Sequence, residues 1–134
     1  LDFLDFTTGN AGHDNAAVLP ADFIEDETLR VGAYHRIAAC SLEKEIGEVE
    51  EELADRFGPL PPALRRLLDL ARIRCAAAAQ GITRVETRES KIMMSRGRDY
   101  IMFSKRFPRF SSSDPDDKLK ELLARARAPD RETG

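Results

Sequence analysis

Cysteine, histidine and long apolar runs are scarce in this chain, and each scarcity excludes a class of function. Cys40 and Cys75 are the only cysteines in 134 residues. Neither belongs to a CxxC pair or lies near a histidine cluster, so zinc-ribbon, dithiol-redox and disulfide-scaffold readings all lack their ligands. Both sit among apolar residues at helical spacing, which predicts small core side chains in a reducing compartment. The two histidines, His13 and His35, are far apart in sequence and have no third partner. No GxSxG, HExxH or Walker sequence is present, so no enzyme activity and no metal or other cofactor is expected. Gly9 and Gly12 fall in a Gly- and Asn-rich loop, Thr8 to Asn15, but neither GK[ST] nor a helix follows, so the loop is not a phosphate cradle. No apolar run approaches the ~20 residues of a membrane span, and no basic region precedes an apolar stretch at the N-terminus. A cytoplasmic protein without membrane contact is expected. Because the chain opens on Leu1 and enters a strand-like segment at once, it is expected to be one domain of a longer polypeptide.

Charge is plentiful but nearly balanced, with 24 acidic and 21 basic residues and a net charge of −3. A nucleic-acid-binding domain is usually basic overall, with its cations gathered on one face. The hydrophobic content of 42% is enough for one self-supporting core at this length. A single domain over 1–128 with a disordered tail over 129–134 is the expected organisation.

The periodicities predict an α+β fold with three consecutive helices packed on a small antiparallel β-sheet, plus a C-terminal helix. Leu1 to Thr7 alternates apolar and acidic types and suggests a short strand. Leu29, Ala33, Ile37 and Cys40 recur at helical spacing behind Asp26, a suitable N-cap. Ser41 is expected to cap a second helix bearing Leu42, Ile46, Val49, Leu53 and Phe57 on one face, stopped by Gly58 and Pro59. A third helix, from about Pro62 to Gln80, carries Leu64, Leu67, Leu68, Ala71, Cys75 and Ala78 on one stripe and Leu70 and Ile73 outside it. Such a helix needs partners on two sides. Beyond Gly81 the period falls to about two, predicting a meander whose second turn has Gly97 at its tip. Phe107 to Ser113 is expected to be a linker, and Asp114-Pro115 to start the last helix, with Leu119, Leu122 and Leu123 inward.

Two surface features could carry function. At 100° per residue, Glu45, Glu48, Glu52 and Asp55 fall within about 80° of one another on the second helix. Like charges stacked at this spacing are mildly unfavourable in isolation, so the stripe is either a solvated face or a docking surface for arginines on a partner. The hairpin carrying Arg96 and Arg98, with Tyr100, Lys105, Arg106 and Phe107 beyond it, interleaves basic and aromatic residues as a single-strand-binding surface can. It is equally an ordinary charged turn, since no RNP or KH signature accompanies it.

The segment Leu19 to Ala38 (LPADFIEDETLRVGAYHRIA) and the segment Glu51 to Pro61 (EELADRFGPLP) together resemble the C-terminal domain of bacterial transcription-repair coupling factors. The resemblance rests on the Pro-x-x-Phe-Ile entry, the spacing of Arg30, Tyr34 and Arg36, and the Glu-Leu-x-Asp-Arg-Phe-Gly ending. It continues through Leu67, Leu68, Ala71, Arg72, Gly81 and Ile82 and fades beyond Met94. It implies a non-catalytic regulatory domain whose parent is an ATP-dependent DNA translocase, with RNA polymerase and DNA bound by other domains. It also implies a clamp that folds back on a UvrB-like N-terminal module of the same chain and hides the surface recruiting UvrA, to be released when stalled polymerase is engaged and so to link it to nucleotide excision repair. Glu52 and Asp55 occupy the acidic positions of the motif and are expected to meet arginines of that module. Arg30, Tyr34, Arg56 and Phe57 are expected to serve local packing. A DNA- or RNA-contacting role for the Arg96 and Arg98 hairpin, and a purely structural cap on the motor, remain the alternatives.

Overall fold

Four helices and a small sheet follow one another as α1 (Glu27–Ala39), α2 (Glu43–Phe57), α3 (Pro62–Ala79), β1 (Arg84–Arg88), β2 (Lys91–Arg96), β3 (Asp99–Tyr100) and α4 (Pro115–Arg127) in a computed structural model. The structure describes residues 1–4, 6 and 15–131. The strands pair antiparallel in the order β1-β2-β3, so the predicted α+β class and helix order hold. The loop around Gly9, Gly12 and His13 lies outside the described residues.

Helix α3 organises the molecule because it is apolar on two sides. Leu64, Leu68, Ala71 and Cys75 join Ile37, Ile46, Val49 and Leu53 in a first core, which Leu19 and Ile24 close from the N-terminal side. Ile73, Ala76 and Ala77 face the other way, into a second core with Ile92, Met94, Leu119, Leu122 and Ala126. The two-sided helix expected from the pattern is therefore observed, although Ala78, assigned to the first stripe, is exposed. Cys40 and Cys75 are free and buried, as small core residues should be.

Local chemistry sets the boundaries. Asp26 Oδ1 accepts from the Leu29 amide at 3.1 Å, and Asp114 Oδ2 from that of Asp117 at 3.0 Å. These are the N-cap bonds that satisfy first-turn amides. Pro62 occupies the first turn of α3 and Pro115 that of α4, where a missing N–H costs nothing. At the other end of α3, Gly81 takes φ +72°. The amide of Ile82 then reaches the Ala77 carbonyl at 2.9 Å and that of Gly81 the Ala78 carbonyl at 3.1 Å, the paired closure that a left-handed residue permits.

Several expectations are corrected. Residues 1–4 form a turn rather than a strand, because Asp2 accepts from the Thr87 hydroxyl at 2.8 Å and the Glu89 amide at 3.1 Å, drawing Leu4 into the second core. Ser41 is not the cap of α2. The Glu45 carboxylate reaches back and accepts from the Ser41 amide and hydroxyl, at 3.1 Å each, and from the Leu42 amide at 3.0 Å. Leu42 is left 59% exposed and Leu29 44% exposed, since α1 buries only Ala33 and Ile37. The expected linker instead returns to the sheet: Ile92 donates to the Pro108 carbonyl at 2.7 Å and Phe110 to that of Ser90 at 2.9 Å. Within the expected disordered tail, Pro129 is instead fully buried and Asp130 is ion-paired to Arg96.

Candidate functional site

The acidic residues of α2 meet different fates. Glu45 is held by the helix start, and its carboxyl lies below the ordinary value because the amides of Ser41 and Leu42 and then the Ser41 hydroxyl stabilise the charge. Glu52 is half-buried and paired with Arg36 of α1. Glu48 and Asp55 are exposed and have no ion-pair partner among the described residues. The structure thus brings Glu48, Glu52 and Asp55 onto one accessible face at i, i+4 and i+7, while Glu45 belongs to the cap.

Beside Glu52 lies a shallow groove between α1 and α2, of about 270 Å³, lined by Leu29, Gly32, Arg36, Val49, Glu52 and Arg56 among others. At Gly32 an added Cβ would meet nothing within 4 Å, so the helix presents open backbone to the groove. The outer surface of α1 adds Leu29, Val31 and Tyr34, which are 44%, 45% and 36% exposed. Of these, Leu29 lines the groove beside Glu52, so the acidic face is bordered there by one exposed apolar side chain, an arrangement suited to a protein surface that presents cations beside an apolar group. Sequence reading named Arg36 only within the motif and missed its pairing with Glu52 and this groove, since the pairing depends on how α1 crosses α2.

The motif residues assigned to packing do pack. Arg30 Nη1 donates to the Ile24 carbonyl at 2.9 Å, and the Tyr34 hydroxyl accepts from the Leu19 amide at 2.9 Å. Together they fasten the entry segment to α1. Phe57 meets Phe23 at a ring-centroid distance of 5.8 Å, and the Arg56 guanidinium lies 5.1 Å from the Phe57 ring centre.

The hairpin is less available than its sequence suggests. Gly97 has the expected positive φ of 61° at the tip. Arg96, however, makes two parallel bonds to Asp130 at 2.9 and 3.0 Å and a third to the Gln80 carbonyl at 3.0 Å. That geometry closes the C-terminal end onto the sheet, and Arg98 alone of the pair points to solvent without an ion-pair partner among the described residues. No group of three or more His, Cys, Asp or Glu could hold a metal among the described residues. None of their helices is long and apolar enough to cross a membrane.

The described residues form an α+β unit of four helices and a three-stranded antiparallel sheet. The TRCF domain family matches residues 14–101, and the chain belongs to that family. The transcription-repair-coupling factor of Escherichia coli (strain K12) is 47% identical over 73 residues, 54% of this chain and 6% of that protein. That of Mycobacterium bovis is 45% identical over 69 residues, 52% of this chain and 6% of its own length. The Helicobacter pylori protein of the same name is 27% identical over 113 residues, 84% of this chain and 11% of its own. The chain thus spans a small fraction of these relatives. A crystal structure of the C-terminal domain of transcription-repair coupling factor superposes with a TM-score of 0.58 at 28% identity, covering 61% of this chain and 51% of that one.

Proposed function

We propose that this domain is an autoinhibitory clamp: it docks through Glu48, Glu52 and Asp55 on an arginine-bearing surface of a UvrB-like module in a cytoplasmic coupling factor, and so withholds that module from UvrA. The single observation that carries the reading is the exposed carboxylate face of α2 inside a matched TRCF domain, with Glu48 and Asp55 free of ion-pair partners among the described residues. Carboxylate–guanidinium contacts are charge-assisted and often bidentate, contributing roughly 1.5–3 kcal/mol each. Strong contacts are not needed. A tethered partner sits at an effective concentration on the order of 1 mM, so an interface with a Kd near ~10 μM keeps the clamp about 99% closed. It also stays releasable when polymerase engages the parent translocase. The Arg36–Glu52 pair assists by holding Glu52 in place until an incoming arginine exchanges with Arg36.

The test is Glu52→Ala with Asp55→Ala in the full-length coupling factor, measuring UvrA binding without polymerase. Binding should rise by roughly an order of magnitude or more as the closed population falls. Unchanged binding by a folded variant rejects the acidic face as the clamp.

A further inference from the structure

A cavity lies away from the acidic face, in a wedge between residues 103–111 and α4. It measures about 860 Å³, and Arg106, Arg109, Arg125 and Arg131 line it together with Phe103, Phe107 and Phe110; Glu121 is its one carboxylate. The residues beyond 101 that supply most of this lining lie outside the TRCF family match.

Several arginines of the chain, Arg65 and Arg98 included, meet no carboxylate among the described residues, and what sets the wedge apart is that three such arginines line one cavity with aromatic rings. Arg36, Arg66, Arg72, Arg84, Arg96 and Arg127 each meet a carboxylate. Arg106, Arg109 and Arg131 are exposed and meet none among the described residues. Glu121 offsets one of these charges at most and is itself engaged in the wall, where its Oε1 accepts from the Ser111 amide at 2.9 Å and its Oε2 is buried. The Arg125 guanidinium sits 5.8 Å from the Phe103 ring centre and shares the wall with Glu121. Phe107 is braced edge-on by Tyr100 at 5.2 Å, which fixes one aromatic ring of the lining.

We propose that this wedge binds single-stranded DNA, with Arg106, Arg109 and Arg131 on successive phosphates and a base stacked on Phe107. Guanidinium groups beside an aromatic ring match a ligand that alternates anionic and flat apolar parts. An acidic peptide would use the cations and leave the ring without a partner. Ser111 supplies the only hydroxyl lining the cavity, and it is bonded to Glu121. No free hydroxyl or amide side chain among the lining residues therefore favours a ribose 2′-hydroxyl, the group by which RNA is distinguished, and the guanidinium groups serve DNA and RNA phosphates alike. The net charge of −3 keeps binding local to the wedge and weak in overall terms.

The experiment is fluorescence anisotropy of a labelled thymidine oligonucleotide of about 12 residues with the whole chain, titrated between ~50 and ~200 mM salt. Three phosphate contacts predict a slope of about −2 in log K against log salt. Arg106→Glu with Arg109→Glu should weaken binding at least about tenfold and flatten the slope. Phe107→Ala should weaken it roughly five- to hundredfold with the slope kept. Arg65→Glu with Arg88→Glu, an equal charge change outside the wedge, is the control and should leave the affinity near its starting value. Absence of binding at low salt overturns the proposal, as does an equal loss in the control variant. Tighter binding of the matching uridine oligonucleotide overturns DNA as the ligand, and tighter binding of polyglutamate assigns the wedge to an acidic protein instead. Circular dichroism of each variant separates these outcomes from misfolding.

Discussion

Single residues show where sequence chemistry speaks directly and where it misleads. Asp26 and Asp114 are caps in sequence and in structure, because a short acidic side chain ahead of a helix has one favourable use. Ser41 looked equally suitable, yet its hydroxyl donates to Glu45, and a carboxylate with several acceptor sites wins the competition for the loose amides. Glu45 therefore predicts its own pH dependence. Its folded pKa is depressed below the ordinary 4.5, so its contribution is complete above that value and disappears as pH falls through the folded one. Glu45→Ala should lower the Tm at pH 7, and its deficit against the parent chain should shrink as pH falls below 4.5 and through the depressed folded value; a deficit that persists once the carboxyl is fully protonated would mean that Glu45 acts by packing. Asp130 behaves in the same sense, held down by Arg96. Asp69 opposes both, since burial pushes its carboxyl up despite Arg72. Gly47 offers the reverse opportunity: it lies inside α2, and a Cβ there meets nothing within 4 Å. Gly47→Ala should stabilise by about 0.5–1 kcal/mol in chemical denaturation.

At the scale of elements, legibility followed packing. Helices α2 and α3 were readable because their apolar stripes are deep, and the meander because alternation survives in β1 and β2. Helix α1 was misread at Leu29 because it buries so little that its pattern barely constrains its rotation. The return of Pro108 and Phe110 to the sheet edge left no periodic signal either. It depends on a tight turn in which Ser104 and Lys105 take φ of 51° and 63° without the glycine or asparagine that usually marks such a turn. What holds α1 is equally nonlocal. Arg74 of α3 donates to the Ile37 carbonyl at 3.0 Å and the Cys40 carbonyl at 2.8 Å, closing the C-terminal end of α1 where its own ladder stops. Arg74→Ala should cost about 1–3 kcal/mol and accelerate hydrogen exchange across Glu27–Ala39 much more than across α3. Equal acceleration in both helices would show that α1 does not open by itself. The acidic face was legible as a stripe, but which carboxylates are available was not, because Arg36 and the amides of Ser41 and Leu42 select among them only after folding.

At the scale of the whole molecule, one helix belongs to two cores, and polar links, one of them from a buried arginine, reinforce the join. Arg66, 6% exposed, bonds Asp116 of α4 at 2.9 Å and the Ala16 carbonyl at 3.0 Å. Arg127 Nε reaches Glu43 of α2 at 3.1 Å. An opening of the sheet and α4 would strip one side of α3 and strand the Arg66 guanidinium, a penalty comparable to unfolding the rest. The two halves should therefore unfold as one unit, although the acidic face sits on one and the arginine wedge on the other. Native-state hydrogen exchange tests this through Val49 in α2 and Ile92 in β2, whose amides should open with the same free energy. Leu68→Ala provides the sharper comparison, since Leu68 is fully buried in the first core alone. It should lower protection at Ile92 as much as at Val49, by about 2–5 kcal/mol. If Ile92 keeps its protection while Val49 loses it, α3 does not couple the cores, and a ligand in the wedge would have no mechanical route to the acidic face. Equal loss provides that route, because any stabilisation of one half is then stabilisation of the surface on the other.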